Sequence, residues 1–147
     1  MLTELLLGSA LIVTSAVIAA AGWWGLSYLL GHWRDWLSRP PHGPKLMGTL
    51  VVAMLWTMVM MTISVWIWAL AFVALDVFPT LESSVYFSLV AFTTLGLGDL
   101  VPPPGWRILG GLAAANGLLL MGLLSATLIE TLRRIHQKQR DWRDRAS

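Results

Sequence analysis

The segment richest in chemistry carries almost no charge. In TTLGLGD, Thr93 to Asp99, Gly96 and Gly98 alternate with Leu95 and Leu97. Glycine admits backbone dihedrals closed to other residues. Such a loop is able to turn successive carbonyl oxygens to one side while its leucines pack into surrounding protein on the other. A row of carbonyls is a ligand set for a monovalent cation, because the oxygens replace the hydration shell without placing a full negative charge on the path. The Thr94 hydroxyl would add one more oxygen at the inner end. One chain supplies one such row, so a closed ring requires several identical chains, most simply a cyclic assembly. On glycine content alone, a tight-turn loop explains the same residues equally well, and the choice rests on the elements around them.

Other chemistries find little support. The chain has no Cys, which removes thiolate ligands and disulfides. His32, His42 and His136 fall in polar connecting or terminal segments, away from any zinc spacing. No His lies within an apolar stretch to serve as base for a nucleophile, so an enzyme is not expected. With 56% hydrophobic and only 12% charged residues, the composition also departs from that of an ordinary soluble domain.

Three apolar stretches organise the 147 residues into an expected all-α transmembrane fold. The first, within residues 1–31, is long enough to cross about 30 Å of hydrocarbon at 1.5 Å per residue. Its only preceding charge is Glu4 and it continues past Ala19, Ala20 and Ala21, so it reads as a span rather than a signal peptide. The second covers 46–75 and the third 106–132. Both are continuously apolar, without the alternation of a barrel strand. Between them, 83–93 suits a helix of about three turns, started by Pro79, Thr80 and Glu82. The glycine-rich 94–98 then follows as extended backbone. A short helix and a glycine loop between two spans read as a re-entrant element, tolerated at membrane depth only when protein or a watery cavity surrounds it.

Charge placement sets the expected topology. Arg34, Arg39 and Lys45 fall in a basic loop, 32–45, and Arg133, Arg134, Lys138, Arg140, Arg143 and Arg145 follow the third span, mostly in a basic tail, 135–147. Three crossings put both groups on one side, expected to be the cytoplasm. The amino terminus and the glycine loop then face outward, as in a multi-pass protein of the cell inner membrane. The basic tail sets topology and offers a surface to membrane lipids, anionic ones included. Nucleic acid is not an expected partner.

With these elements in place, SLVAFTTLGLGDLVP, Ser88 to Pro102, resembles the pore-helix end and selectivity filter of small bacterial-type potassium channels with two transmembrane helices and one pore loop per chain, whose signature is TTVGYGD. The likeness covers 46–134 in order: outer helix, pore helix, filter, inner helix, here preceded by one extra transmembrane helix. It implies that Thr94, Leu95, Gly96 and Leu97 coordinate potassium, that Gly98 sits at the outer mouth and that Thr93 and Asp99 support the filter. It implies a homotetramer with potassium as the permeant ion and no other cofactor. Leu97 stands where the family usually has Tyr, which removes a ring and a hydroxyl that brace the filter. Tyr86 and Phe87 remain as candidate packing partners, with Tyr86 also a candidate donor to Asp99. A softer filter that admits some sodium is the expected consequence.

On the inner helix, Asn116, Leu120, Leu123 and Thr127 recur at helical spacing. They are expected to line a cavity, with Glu130 at the inner mouth. For Asn116 an interhelical hydrogen bond is the competing role, and for Glu130 pairing with Arg133 or Arg134. Gly117 and Gly122 are hinge candidates. The first span carries no Lys or Arg, so an intrinsic voltage sensor is not expected. A nonselective cation channel and a nonconducting subunit that modulates another channel are the alternatives.

Overall fold

The computed structural model describes residues 1–32 and 42–146, and among these the only regular structure is helical. Helix α1 is Leu2–His32, α2 is His42–Ala74, α3 is Leu81–Phe92 and α4 is Arg107–Ala146. Leu2–Tyr28, Met47–Ala74 and Arg107–Thr127 are each long and apolar enough to cross a membrane. Most of the basic loop, with Arg34 and Arg39, lies outside the described residues.

The short helix α3 starts two residues earlier than expected and ends one earlier, and the two larger boundary differences have local causes. Helix α2 starts at His42, within the expected loop, because Pro44 falls in the first turn, where the absent N–H breaks no intrahelical bond. Helix α4 continues past the apolar stretch to Ala146, so the tail is a helical extension rather than a separate segment. Residues 123–146 contain neither Gly nor Pro and are rich in Leu, Arg, Gln and Lys, which favour helix.

Side-chain contacts fix the helix directions. Glu4 meets Ile108, and Ser15 meets Asn116, so α1 and α4 run parallel. Trp56 Nε1 donates to the Gly22 carbonyl at 3.1 Å, and Gly22 lies directly under the Met60 side chain. Gly25, further along α1, lies beside the Trp56 ring, which is earlier on α2 than Met60, so α2 runs antiparallel to α1. Just past the end of α2, Asp76 stands at φ 50°, and the Val77 N–H reaches back to the Phe72 carbonyl at 3.0 Å. That closure folds Val77 and Phe78 into the core. An aromatic cluster then holds α3 against α2. Phe87 lies 5.3 Å from Phe72 and 4.9 Å from Phe78 between ring centroids, and Trp68 lies 6.3 Å from Phe92.

Candidate functional site

The glycine loop begins where α3 stops, and both ends of that helix are built from local hydrogen bonds. Thr80 is the N-cap: its Oγ1 accepts from the Ser83 N–H at 3.1 Å. At the other end, the Thr94 N–H bonds to the Ala91 carbonyl at 3.0 Å and the Leu95 N–H to the Val90 carbonyl at 3.1 Å. This paired closure places its central residue in the left-handed region, usually a glycine. Here that residue is Thr94, at φ 56°. Asp76 occupies the same position at the end of α2 with an ordinary tolerance for it, whereas a β-branched residue there is a true outlier.

Gly96 at φ 56° and Gly98 at φ 77° continue the pattern, while Leu95 and Leu97 keep negative φ. Alternation of hand cancels the rotation that each residue introduces, which is what a chain needs to keep its carbonyls to one side. Leu95 and Leu97 are 62% and 59% exposed. The expectation that they pack into surrounding protein is therefore not met within one chain.

Behind the loop, the Tyr86 hydroxyl donates to Asp99 Oδ2 at 2.6 Å. This bond, assisted by the Asp99 and Leu100 backbone N–H groups, holds the Asp99 carboxyl below its ordinary range. The same bond, followed by desolvation and the carboxylate charge, pushes the Tyr86 phenol up. Phe87 instead joins the α2 aromatic core and lies under Gly110 and Pro102, where a Cβ on Gly110 would stand 3.0 Å from either. Thr93 caps α3 by donating its Oγ1 to the Leu89 carbonyl at 2.8 Å.

At Asn116 and Leu120 the expectation of a cavity wall needs correction. Asn116 is buried, and its Nδ2 donates to Ser15 Oγ at 3.0 Å, so its amide faces α1 rather than an open wall. Leu120 is buried as well, Thr127 borders a partly enclosed space shared with α1 and α2, and Leu123 touches that space while staying 47% exposed. Glu130 is half-buried. The physical reason is the extra helix: an amide in a span needs a partner, and Ser15 supplies it. The face of α4 that remains open runs through Gly111, Ala115, Leu118, Gly122, Ser125 and Ile129. Gly117 has a packing role. A Cβ there would lie 2.6 Å from the Phe92 carbonyl oxygen and 2.9 Å from its carbon, so only glycine lets the end of α3 reach α4. Around Gly122 there is open space, and α4 is helical through both glycines.

Sequence reasoning missed Glu4. Its Oε2 accepts from the Ile108 N–H at 3.1 Å, which caps the first turn of α4 from the start of α1, and its Oε1 lies 3.0 Å from the Met1 amino group. The one available signal was a lone acid at the head of an apolar helix, which equally suits that helix's own dipole.

An ion channel family model, Ion_trans_2, matches residues 60–134, just over half of the chain. The potassium voltage-gated channel protein Shal of Drosophila melanogaster is 34% identical over 65 residues, 43% of this chain and 11% of that protein. The A-type voltage-gated potassium channel KCND3 of Homo sapiens and of Rattus norvegicus is 34% identical over 71 residues, 47% of this chain and 11% of each relative. The chain thus spans about a tenth of the length of these curated relatives. No solved structure matches. The matched segment holds the end of α2, all of α3, the loop of alternating hand and the apolar part of α4, and the chain belongs to this ion channel family.

Proposed function

We propose that the protein conducts potassium passively across a membrane through a ring of backbone carbonyls from Thr94, Leu95, Gly96 and Leu97, with Gly98 at the outer mouth. The observation that carries this is the alternation of φ at Thr94, Gly96 and Gly98 directly after a short capped helix. The carboxyl end of α3 leads into the loop, so its negative dipole end favours a partly dehydrated cation. One chain offers one row of oxygens, and a homotetramer closes the ring. Exposed Leu95 and Leu97 are then covered by neighbouring chains. The open face of α4, with Ala115, Leu118, Gly122, Ser125 and Ile129, lines the cavity below the filter.

Asp99 and Tyr86 brace the loop from outside. Leu97 has no hydroxyl to add to that brace, which favours a filter that discriminates less sharply and passes some sodium. The protein sits in the cell inner membrane as a multi-pass protein, with its amino terminus and loop outside and its basic tail in the cytoplasm near anionic lipid. It acts as a channel rather than an enzyme. The test is the reversal potential of the reconstituted protein between potassium and sodium solutions. A potential displaced toward potassium but short of its equilibrium value supports the proposal. A zero potential with ample current means a nonselective pore, and full potassium selectivity removes the role given to Leu97.

A further inference from the structure

Between α1, α2 and α4 lies a partly enclosed cavity of about 260 Å³ that ion conduction does not use. All of the residues around it fall within Leu2–Tyr28, Met47–Ala74 and Arg107–Thr127, the three stretches apolar enough to lie in hydrocarbon. Its lining is almost wholly apolar: Trp23 and Ala20 from α1, Met60 from α2, Leu123 from α4. The two hydroxyl hydrogens on its lining are already engaged. Thr57 Oγ1 donates to the Met54 carbonyl and Thr127 Oγ1 to the Leu124 carbonyl, each at 2.7 Å. The Trp56 indole N–H is bound to the Gly22 carbonyl, which also pins that ring as a fixed wall.

A space with this lining offers water too few polar partners. Apolar cavities of roughly 150 Å³ stay dry and take up apolar molecules instead. At this depth in a bilayer, the apolar groups present in excess are lipid tails. We infer that the cavity is a binding site for a segment of lipid acyl chain, held between the extra helix and the inner helix. The occupant would fill the space against Leu123 and Thr127 and add to the coupling of α1 to α4 that Ser15 and Asn116 begin. The inference rests on the three helices lying in a membrane and is independent of conduction.

The test is photolabelling of the full chain in phosphatidylcholine vesicles containing a fraction of lipid with a diazirine on its acyl chain, with adducts mapped by mass spectrometry. The expected result is enrichment on Trp23, Met60 and Leu123 over Leu6, Val13 and Val17, which are exposed on α1. Ala20→Phe, and separately Thr57→Phe, should fill the cavity and lower its labelling several-fold while the exposed positions label as before. Even labelling of all these positions in the wild-type chain would overturn the inference without any variant. So would cavity labelling that survives both substitutions in folded protein. A wild-type cavity free of lipid adducts means that a second copy or nothing fills it, and a diazirine-bearing alkane that labels where the lipid does not means that the mouth excludes a tethered chain. Either result also rejects the acyl-chain site.

Discussion

At Thr94, backbone preference and the proposed chemistry pull in opposite directions. Its φ of 56° suits glycine, and a left-handed residue with a Cβ costs about 1–2 kcal/mol. In the proposed pore, a hydroxyl facing the permeation path would be the compensating use. Thr94→Gly is therefore expected to raise the thermal midpoint of the purified protein while lowering potassium flux. A variant that gains stability and conducts as before would deny the hydroxyl its role. For Tyr86 and Asp99 the pH window follows from two opposite shifts. The carboxyl is lowered, so its contribution is complete above the ordinary Asp value of about 3.9 and is lost as pH falls through the lowered value. The phenol is raised, so its contribution is complete below about 10 and is lost as pH rises through the raised value. Selectivity should thus hold steady across neutral pH and fail only toward the acid and alkaline ends. Tyr86→Phe should reduce the potassium preference, and adding Asp99→Asn should reduce it little further, since both remove one bond. Additive losses in a double-mutant cycle would mean that the two side chains act separately.

At the level of the elements, two glycines ten residues inside α4 and beyond make a direct contrast. Gly117→Ala places a methyl group on the Phe92 backbone, where relief requires the end of α3 to move, so both flux and thermal stability should fall. Gly122→Ala meets nothing within 4 Å in the single chain and gains up to about 1 kcal/mol of helix propensity. It should leave stability equal or better. If Gly122→Ala abolishes flux in a folded protein, a hinge or a neighbouring chain acts there. The start of α3 was legible because capping is local: Thr80, Ser83 and Glu82 lie within one turn. The partner of Asn116 was not legible, since Ser15 is 101 residues away and helical spacing alone shows which residues share a face, not what that face meets. The extra helix supplies the partner, and Leu120, one turn further along, is buried with Asn116. Ser15→Ala leaves a buried amide donor short of its acceptor and is expected to cost about 1–3 kcal/mol, read as a lower thermal midpoint. A midpoint unchanged from wild type would mean that the α1 to α4 bond carries little of the packing.

For the whole molecule, the three spans and the loop between the second and third could be read from hydropathy and glycine spacing alone. Assembly leaves a weaker trace in the sequence, because leucines look the same whether a chain buries them itself or leaves them for a neighbour. The structure leaves Leu95 and Leu97 exposed beside the loop, and a closed ring of carbonyls needs more than one chain. Mass measurement of the purified complex is expected to give four copies, and a stable monomer or dimer would leave the ring incomplete. The most direct test of conduction through the loop is potassium and sodium flux into liposomes holding the full chain, beside Gly96→Ala. Alanine at a φ of 56° is strained and would disturb the carbonyl row without meeting another atom of its own chain within 4 Å. The account predicts potassium flux larger than sodium flux, with both abolished by Gly96→Ala in an oligomer that still assembles. Flux that persists through that substitution, or no flux in either salt from a folded wild-type oligomer, would contradict it.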